Sequence, residues 1–168
     1  WLKEVIPEKK IFFVNQRLDC RFPSKIENNK KSFKIGYFGS PINCAFIDKI
    51  ADQIDVIQTP TNSTEWMTRL NHYSMHYAVR PHYNDVFKPF GKGYISGRYS
   101  CPLIVGKDEP DAAYLLPEDY PYWVDSIELD NIMHVIDKAK HDFNTELWKY
   151  AKETLEKVSH LADDENIK

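Results

Sequence analysis

The sequence predicts an α/β domain, a Rossmann-like parallel sheet with helices on both faces. Three observations carry that prediction. Short apolar runs alternate along the chain with stretches of helical periodicity, and polar turns join them, a pattern that closes into a parallel sheet covered by helices. Residues 33–58 read strand, helix, strand, the connection that parallel neighbours require. Pro102-Leu103-Ile104-Val105 is apolar without alternation, as befits a strand covered on both faces.

Taken in order, residues 1–10 are charged and mixed, with Pro7 interrupting, and read as a lead-in. Ile11-Phe12-Phe13-Val14 is a brief strand-like run, and the Lys- and Asn-rich stretch 23–32 is the expected mobile loop or linker. Residues 33–39 form the first expected strand, ending at Gly39. Ser40-Pro41 then opens a helix, Ser being suited to capping and Pro to the first turn. Ile42, Phe46, Ile47 and Ile50 fall on one face of it.

Residues 55–58 form the next strand. Asn62-Ser63-Thr64-Glu65 resembles a capping box before a helix bearing Trp66, Met67 and Leu70. Residues 75–79 give a third strand, ending at Arg80-Pro81. A glycine-punctuated turn, a short helix and the strand at 102–105 follow. A second short helix has Pro110 near its start, and residues 120–124 are aromatic and extended.

Asp125-Ser126-Ile127-Glu128 again looks like a capping box, with Leu129, Ile132, Met133, Ile136 and Ala139 as the apolar stripe behind it. The last helix starts near Asn144, with Phe143 and Trp148 placed for a hydrophobic staple. Leu147, Ala151, Leu155, Val158 and Ala162 make its expected buried face, and residues 163–168 fray.

A chain of 168 residues is large enough for one domain with a substantial core. That domain is expected over residues 33–162. Residues 1–32 are expected to lead in from an N-terminal domain of a longer polypeptide, since the chain opens at Trp1 without a methionine. A formal charge of −3 is a poor footprint for nucleic-acid binding, so no nucleic-acid partner is expected. No apolar run approaches a membrane span, and no signal peptide is visible. Cys20, Cys44 and Cys101 are widely spaced and form no CxxC pair. They argue against a disulfide scaffold or a zinc site and fit a reducing, cytoplasmic setting.

The chemistry concentrates in the stretch from Lys88 to Tyr94. Pro89 forbids helical continuation from behind, and Gly91 and Gly93 let backbone approach a ligand closely. A helix opening there presents unpaired N–H groups and the positive end of its dipole to an anion. Lys88 and Lys92 add two cations. Neither a Walker A sequence nor G-x-G-x-x-G is present. Ligands of open α/β sheets sit at the carboxyl ends of the strands. Gly39-Ser40, Arg80, the turn at 88–92 and residues 106–114 all fall at such ends, which predicts one anion site. Surface lysines that bind nothing are the plain alternative.

Gly36-Tyr37-Phe38-Gly39, Val79-Arg80-Pro81, Lys88-Pro89-Phe90-Gly91-Lys92-Gly93, Cys101 to Val105 and Glu109-Pro110-Asp111-Ala112-Ala113-Tyr114 together resemble the C-terminal, donor-binding half of GT-B glycosyltransferases. The likeness covers residues 33 to 139 and is a constellation of order and spacing. Many retaining members carry two glutamates across the phosphate turn; the corresponding positions here are Lys88 and Ser96. The resemblance is closer to relatives with a Lys-Pro-x-x-Lys turn. It implies a nucleoside diphosphate sugar as partner and no metal or other cofactor. It also implies an acceptor site on an N-terminal domain of the same polypeptide, so the fragment alone is expected to be inactive.

On this resemblance Lys88 and Lys92 grip the diphosphate and stabilise it as it departs, because fixed cations offset charge on the leaving oxygens. Gly91, Gly93 and Tyr94 border the phosphates, the last two through backbone donors. Ser96 stands where a ribose contact belongs, and Glu109 and Asp111 resemble an acidic turn that meets sugar hydroxyls. Gly39 and Ser40 border the cleft. Arg80 reaches a phosphate or base edge, or else pairs with Asp85 or Glu109. His76 reads as a packed strand residue, His82 has no evident partner, and Tyr120, Tyr122 and Trp123 read as core, with a platform for a base or sugar as the alternative. The competing function is a non-catalytic α/β domain that recognises an anion or a protein.

Overall fold

The computed structural model describes residues 18–23, 25–81 and 89–163. Among these residues five strands form one sheet: β1 (Ile35–Phe38), β2 (Ile54–Ile57), β3 (Met75–Tyr77), β4 (Leu103–Gly106) and β5 (Trp123–Val124). All four pairings are parallel, in the order β2-β1-β3-β4-β5. Among the described residues six α-helices accompany them: α1 (Ile47–Ile50), α2 (Glu65–Arg69), α3 (Gly91–Arg98), α4 (Pro110–Leu115), α5 (Leu129–His141) and α6 (Glu146–His160). The architecture is the Rossmann-like α/β fold that the alternation of patterns predicts.

Successive strand residues point to opposite faces, and the burial follows. Ile35 and Tyr37 enter the larger core with Met75, Tyr77 and Leu103, whereas Phe38 joins a smaller core with Leu70, Tyr73 and Tyr99. β4 is buried at every position. Tyr120, Tyr122 and Trp123 are core residues, and Oη of Tyr120 both accepts from the Leu103 N–H at 2.9 Å and donates to the Leu103 carbonyl at 2.8 Å.

The expected helix from Ser40 does not run through. Pro41–Asn43 make a 3-10 turn, Cys44 is extended, and Phe46 is left-handed at φ 54° before α1 begins. The cause is tertiary: the Ala45 N–H donates to Val79 O at 3.1 Å, on the segment leaving β3. Ile42 is consequently 74% exposed and Phe46 41% exposed, and only Ile50 of the predicted face is fully buried.

Neither expected capping box forms. Ser63 Oγ accepts from the Glu65 N–H at 3.2 Å, but Thr64 and Glu128 stand at the two N-caps without side-chain cap bonds. At α6 the cap is Thr145, whose Oγ accepts from the Trp148 N–H, and the staple pair Phe143 and Trp148 packs edge to face at 5.1 Å. Ala151, Leu155 and Val158 are buried as expected, while Leu147 is half exposed.

The polar stretch expected to be mobile is tied down where it is described. Asn28 is buried, and its Nδ2 donates to Tyr73 O at 2.7 Å and to Cys101 Sγ at 2.7 Å. The Ile26 N–H donates to Arg98 O, and Lys152 Nζ donates to Asn28 O at 3.1 Å. Asp163, at the start of the expected frayed tail, pairs with Arg98 and His160. No helix among the described residues is long and apolar enough to cross a membrane.

Candidate functional site

The strand order makes the chain step outward from β1 to β2 and then return past β1 to β3. The carboxyl ends of β1 and β3 are therefore the place where successive connections diverge, the usual ligand crevice of open α/β sheets. A cleft of about 450 Å³ occupies that place. Gly39 and Ser40 line it from the turn after β1, Arg80 from the segment after β3, and Gly91, Lys92 and Ser96 from α3. Phe38, Trp66, Leu70 and Ile95 supply an apolar wall, and His76 stands among the lining residues.

Local geometry explains several placements. Gly39 has φ +154°, and a Cβ there would come within 2.9 Å of Tyr37 Oη. Tyr37 Oη donates to Ser40 O at 3.0 Å, holding the turn after β1. Lys92, the second residue of α3, sets its ammonium 3.9 Å from the centroid of the Tyr37 ring, an attraction between a cation and the negative ring face. The apolar wall is joined by ring contacts: Phe38 meets His76 edge to face at 5.3 Å and Trp66 at a tilt at 6.5 Å.

The helix start differs from the expected ring of free amides. The Gly91 N–H donates to Pro89 O at 2.7 Å, and the N–H groups of Gly93 and Tyr94 donate to Phe90 O at 3.0 and 3.3 Å. Gly93 and Tyr94 are buried and do not line the cleft. A Cβ on Gly93 would come within 2.0 Å of the Phe90 ring, so this glycine serves close packing. The short Pro-Phe-Gly turn spends its donors on its own carbonyls, which is why the sequence pattern overstates what remains for a ligand.

The acidic turn also differs. Glu109 Oε1 lies 3.0 Å from Arg80 Nε, and both side chains are largely buried. The ion pair is thus made with Glu109, one of the two partners the sequence offered. Asp111 is exposed in the first turn of α4, and neither acid lines the cleft. Lys88, with His82 and Asp85, lies outside the described residues.

Sequence reading assigned His76 to packing, and it is indeed buried, but it also reaches the cleft. Its Nδ1 is 2.9 Å from Ser96 Oγ and its Nε2 is 3.3 Å from Leu70 O. Burial, reinforced by the Lys92 charge, pushes its pKa down to about 4. Burial likewise pushes the Cys44 thiol up to about 12, so it stays protonated beside the site. Trp66 and Ile95 were not flagged by sequence either; only their helical period is visible there, and that period signals core. Among the described residues no group of His, Cys, Asp and Glu is arranged to hold a metal ion. In comparisons with known proteins, no family model and no curated protein matched the chain.

Proposed function

We propose that this domain binds a nucleoside diphosphate sugar and is the donor-binding half of a glycosyltransferase. The reading places the acceptor site and any catalytic base on an N-terminal domain of a longer polypeptide. The observation that carries it is a switch-point cleft with the Lys92 ammonium on one side and an apolar wall of Phe38, Trp66 and Leu70 on another. A diphosphate suits the cation, and a flat base suits the wall.

In the transfer itself, the bond between the anomeric carbon and the phosphate oxygen breaks, and its electron pair stays on the diphosphate. Lys92, aided by Lys88, offsets that charge, and the acceptor oxygen forms the new bond to the anomeric carbon while its proton passes to the base on the N-terminal domain. A fixed cation aimed at a leaving oxygen lowers the barrier because the charge it meets grows along the reaction.

Titration calorimetry with uridine, guanosine and adenosine diphosphates tests the reading. One of them should bind, and Lys92→Ala should weaken it about ten-fold or more, since a hydrogen bond to a charged group contributes about 1.5–3 kcal/mol. Equal binding by wild type and variant removes Lys92 from the site. The pairing of Arg80 with Glu109 favours a second reading, a non-catalytic domain that recognises a simpler anion, because it leaves less positive charge for a diphosphate. Inorganic phosphate binding as tightly as any nucleotide would select that second reading.

A further inference from the structure

Tyr37 of β1 and Lys92 of α3 meet at the cleft; the tyrosine is wholly buried, and the lysine keeps part of its surface. The tyrosine ring is fixed in place. Its hydroxyl donates to Ser40 O at 3.0 Å, and the Tyr77 ring packs edge-on against it at 6.4 Å. A Cβ at Gly39 would stand 2.9 Å from that hydroxyl, so glycine there leaves the ring its room. Lysine is the opposite case, a point charge on a flexible four-carbon stem, and fixing such a stem costs rotamer freedom. The Lys92 ammonium rests 3.9 Å from the Tyr37 centroid, where the negative ring face attracts it. A ring carries no net charge, so this support orients the ammonium without neutralising it. Arg80 is supported differently, by the Glu109 carboxylate 3.0 Å from its Nε, which offsets its charge. His76 and Cys44, which feel the charge of Lys92, are both kept neutral by burial.

We propose that Tyr37 is a positioning residue: its ring face holds the Lys92 ammonium where the diphosphate arrives, so that binding costs little of the lysine's freedom. The inference rests on the reading of Lys92 as the diphosphate ligand. An ammonium carries three N–H donors, so a ring on one side is compatible with a phosphate oxygen on another. A lysine without such support must be immobilised as the anion binds, which lowers affinity about two- to ten-fold. Tyr37 is itself wholly covered and acts only through the lysine.

Three measurements on the full chain test this. Protons above an aromatic ring face are shielded. In the ligand-free protein the ε-methylene signals of Lys92, identified by their loss in Lys92→Met, should therefore lie upfield of the ordinary lysine position. Signals at the ordinary position overturn the inference. Calorimetry with uridine, guanosine and adenosine diphosphates and with inorganic pyrophosphate then compares two variants. Tyr37→Leu removes the ring and should weaken the ligand about five-fold. Tyr37→Phe keeps the ring, gives up the bond to Ser40 O, and should bind within about two-fold of wild type. Equal losses in the two place the effect in the hydroxyl and overturn the inference. In a Lys92→Met background, Tyr37→Leu should change affinity by less than about two-fold, because its partner is already gone. The full loss there marks a merely structural role and also overturns it. Should Tyr37→Leu fail to fold, a loss of about five-fold in Tyr37→Phe, or unshielded lysine signals, still overturns it. Nucleotide binding that ignores Tyr37→Leu overturns the inference and leaves the nucleotide reading standing. Pyrophosphate bound with the expected responses, and no nucleotide bound, overturns that reading and upholds the role of Tyr37. Binding of neither overturns both.

Discussion

Replacing Gly97 by alanine probes how firmly α3, the helix that lines the cleft, is held. α3 crosses α6 at Gly97, where an added Cβ would stand 2.6 Å from Ser159 Cβ and 2.7 Å from the carbonyl carbon of Leu155, with that residue's oxygen closer still. Carbon atoms rest at about 3.5–4.0 Å, so the helices must part by about 1 Å. The Leu155 obstacle is backbone, which no rotamer change relieves. Alanine gains about 1 kcal/mol in helix propensity over glycine, and overpacking a filled interface costs about 1–3 kcal/mol or somewhat more. With backbone in the way the upper part of that range applies, leaving a net loss of about 1–2 kcal/mol. For a chain of this size the melting temperature should fall about 2–8 °C. Urea unfolding measures the stability, and calorimetry on the folded variant should show weaker diphosphate binding, because Lys92 rides on α3. A variant as stable as wild type would refute the argument, since the helices would then have parted at no cost.

Three further outcomes follow from the same geometry. His76 is a base whose folded pKa, about 4, lies below its ordinary 6.5, so the unfolded chain binds more protons between those values and stability falls as pH drops through that window. The loss approaches about 3 kcal/mol at 1.36 kcal/mol per unit; urea midpoints from pH 7 to pH 4 should fall less in His76→Gln, and parallel curves would assign the pH dependence to other groups. Glu109→Gln removes the charge facing Arg80 and should tighten diphosphate binding several-fold; unchanged affinity would show that the guanidinium does not reach the ligand. Asn28→Ala strips buried bonds from Tyr73 O and Cys101 Sγ and should cost about 1–3 kcal/mol in urea unfolding. The exposed neighbour Asn29→Ala should change stability by less than about 0.5 kcal/mol, and equal effects would mean that the segment is not clasped at Asn28.

Where a feature depends on near neighbours, the sequence was legible. The unbroken apolar run at 102–105, the start of α3 after Pro89 and the pairing of Phe143 with Trp148 all turn on residues within a few positions. Where a distant partner intervenes, it was not. The helix expected from Ser40 is interrupted by a bond from Ala45 to Val79, and the polar stretch around Asn28 is held by Tyr73, Cys101 and Lys152. The site divides in the same way. The rule that ligands gather at strand carboxyl ends was enough to nominate Gly39, Ser40, Arg80 and Lys92, which share the cleft. It overreached at Gly93 and Tyr94, whose amides are spent within the turn, and at Glu109, which is spent on Arg80.

By itself the sequence determined the alternation of strands and helices, and with it a parallel sheet. Periodicity is a local property, and burying both faces of short apolar strands admits few other solutions. Only the tertiary structure decided the strand order, and hence that the cleft opens between β1 and β3. It alone brought Lys92 of α3 over the ring of Tyr37 on β1. Such a contact depends on the partner across the gap, and nothing in the order of residues along one strand says which helix will lie over it.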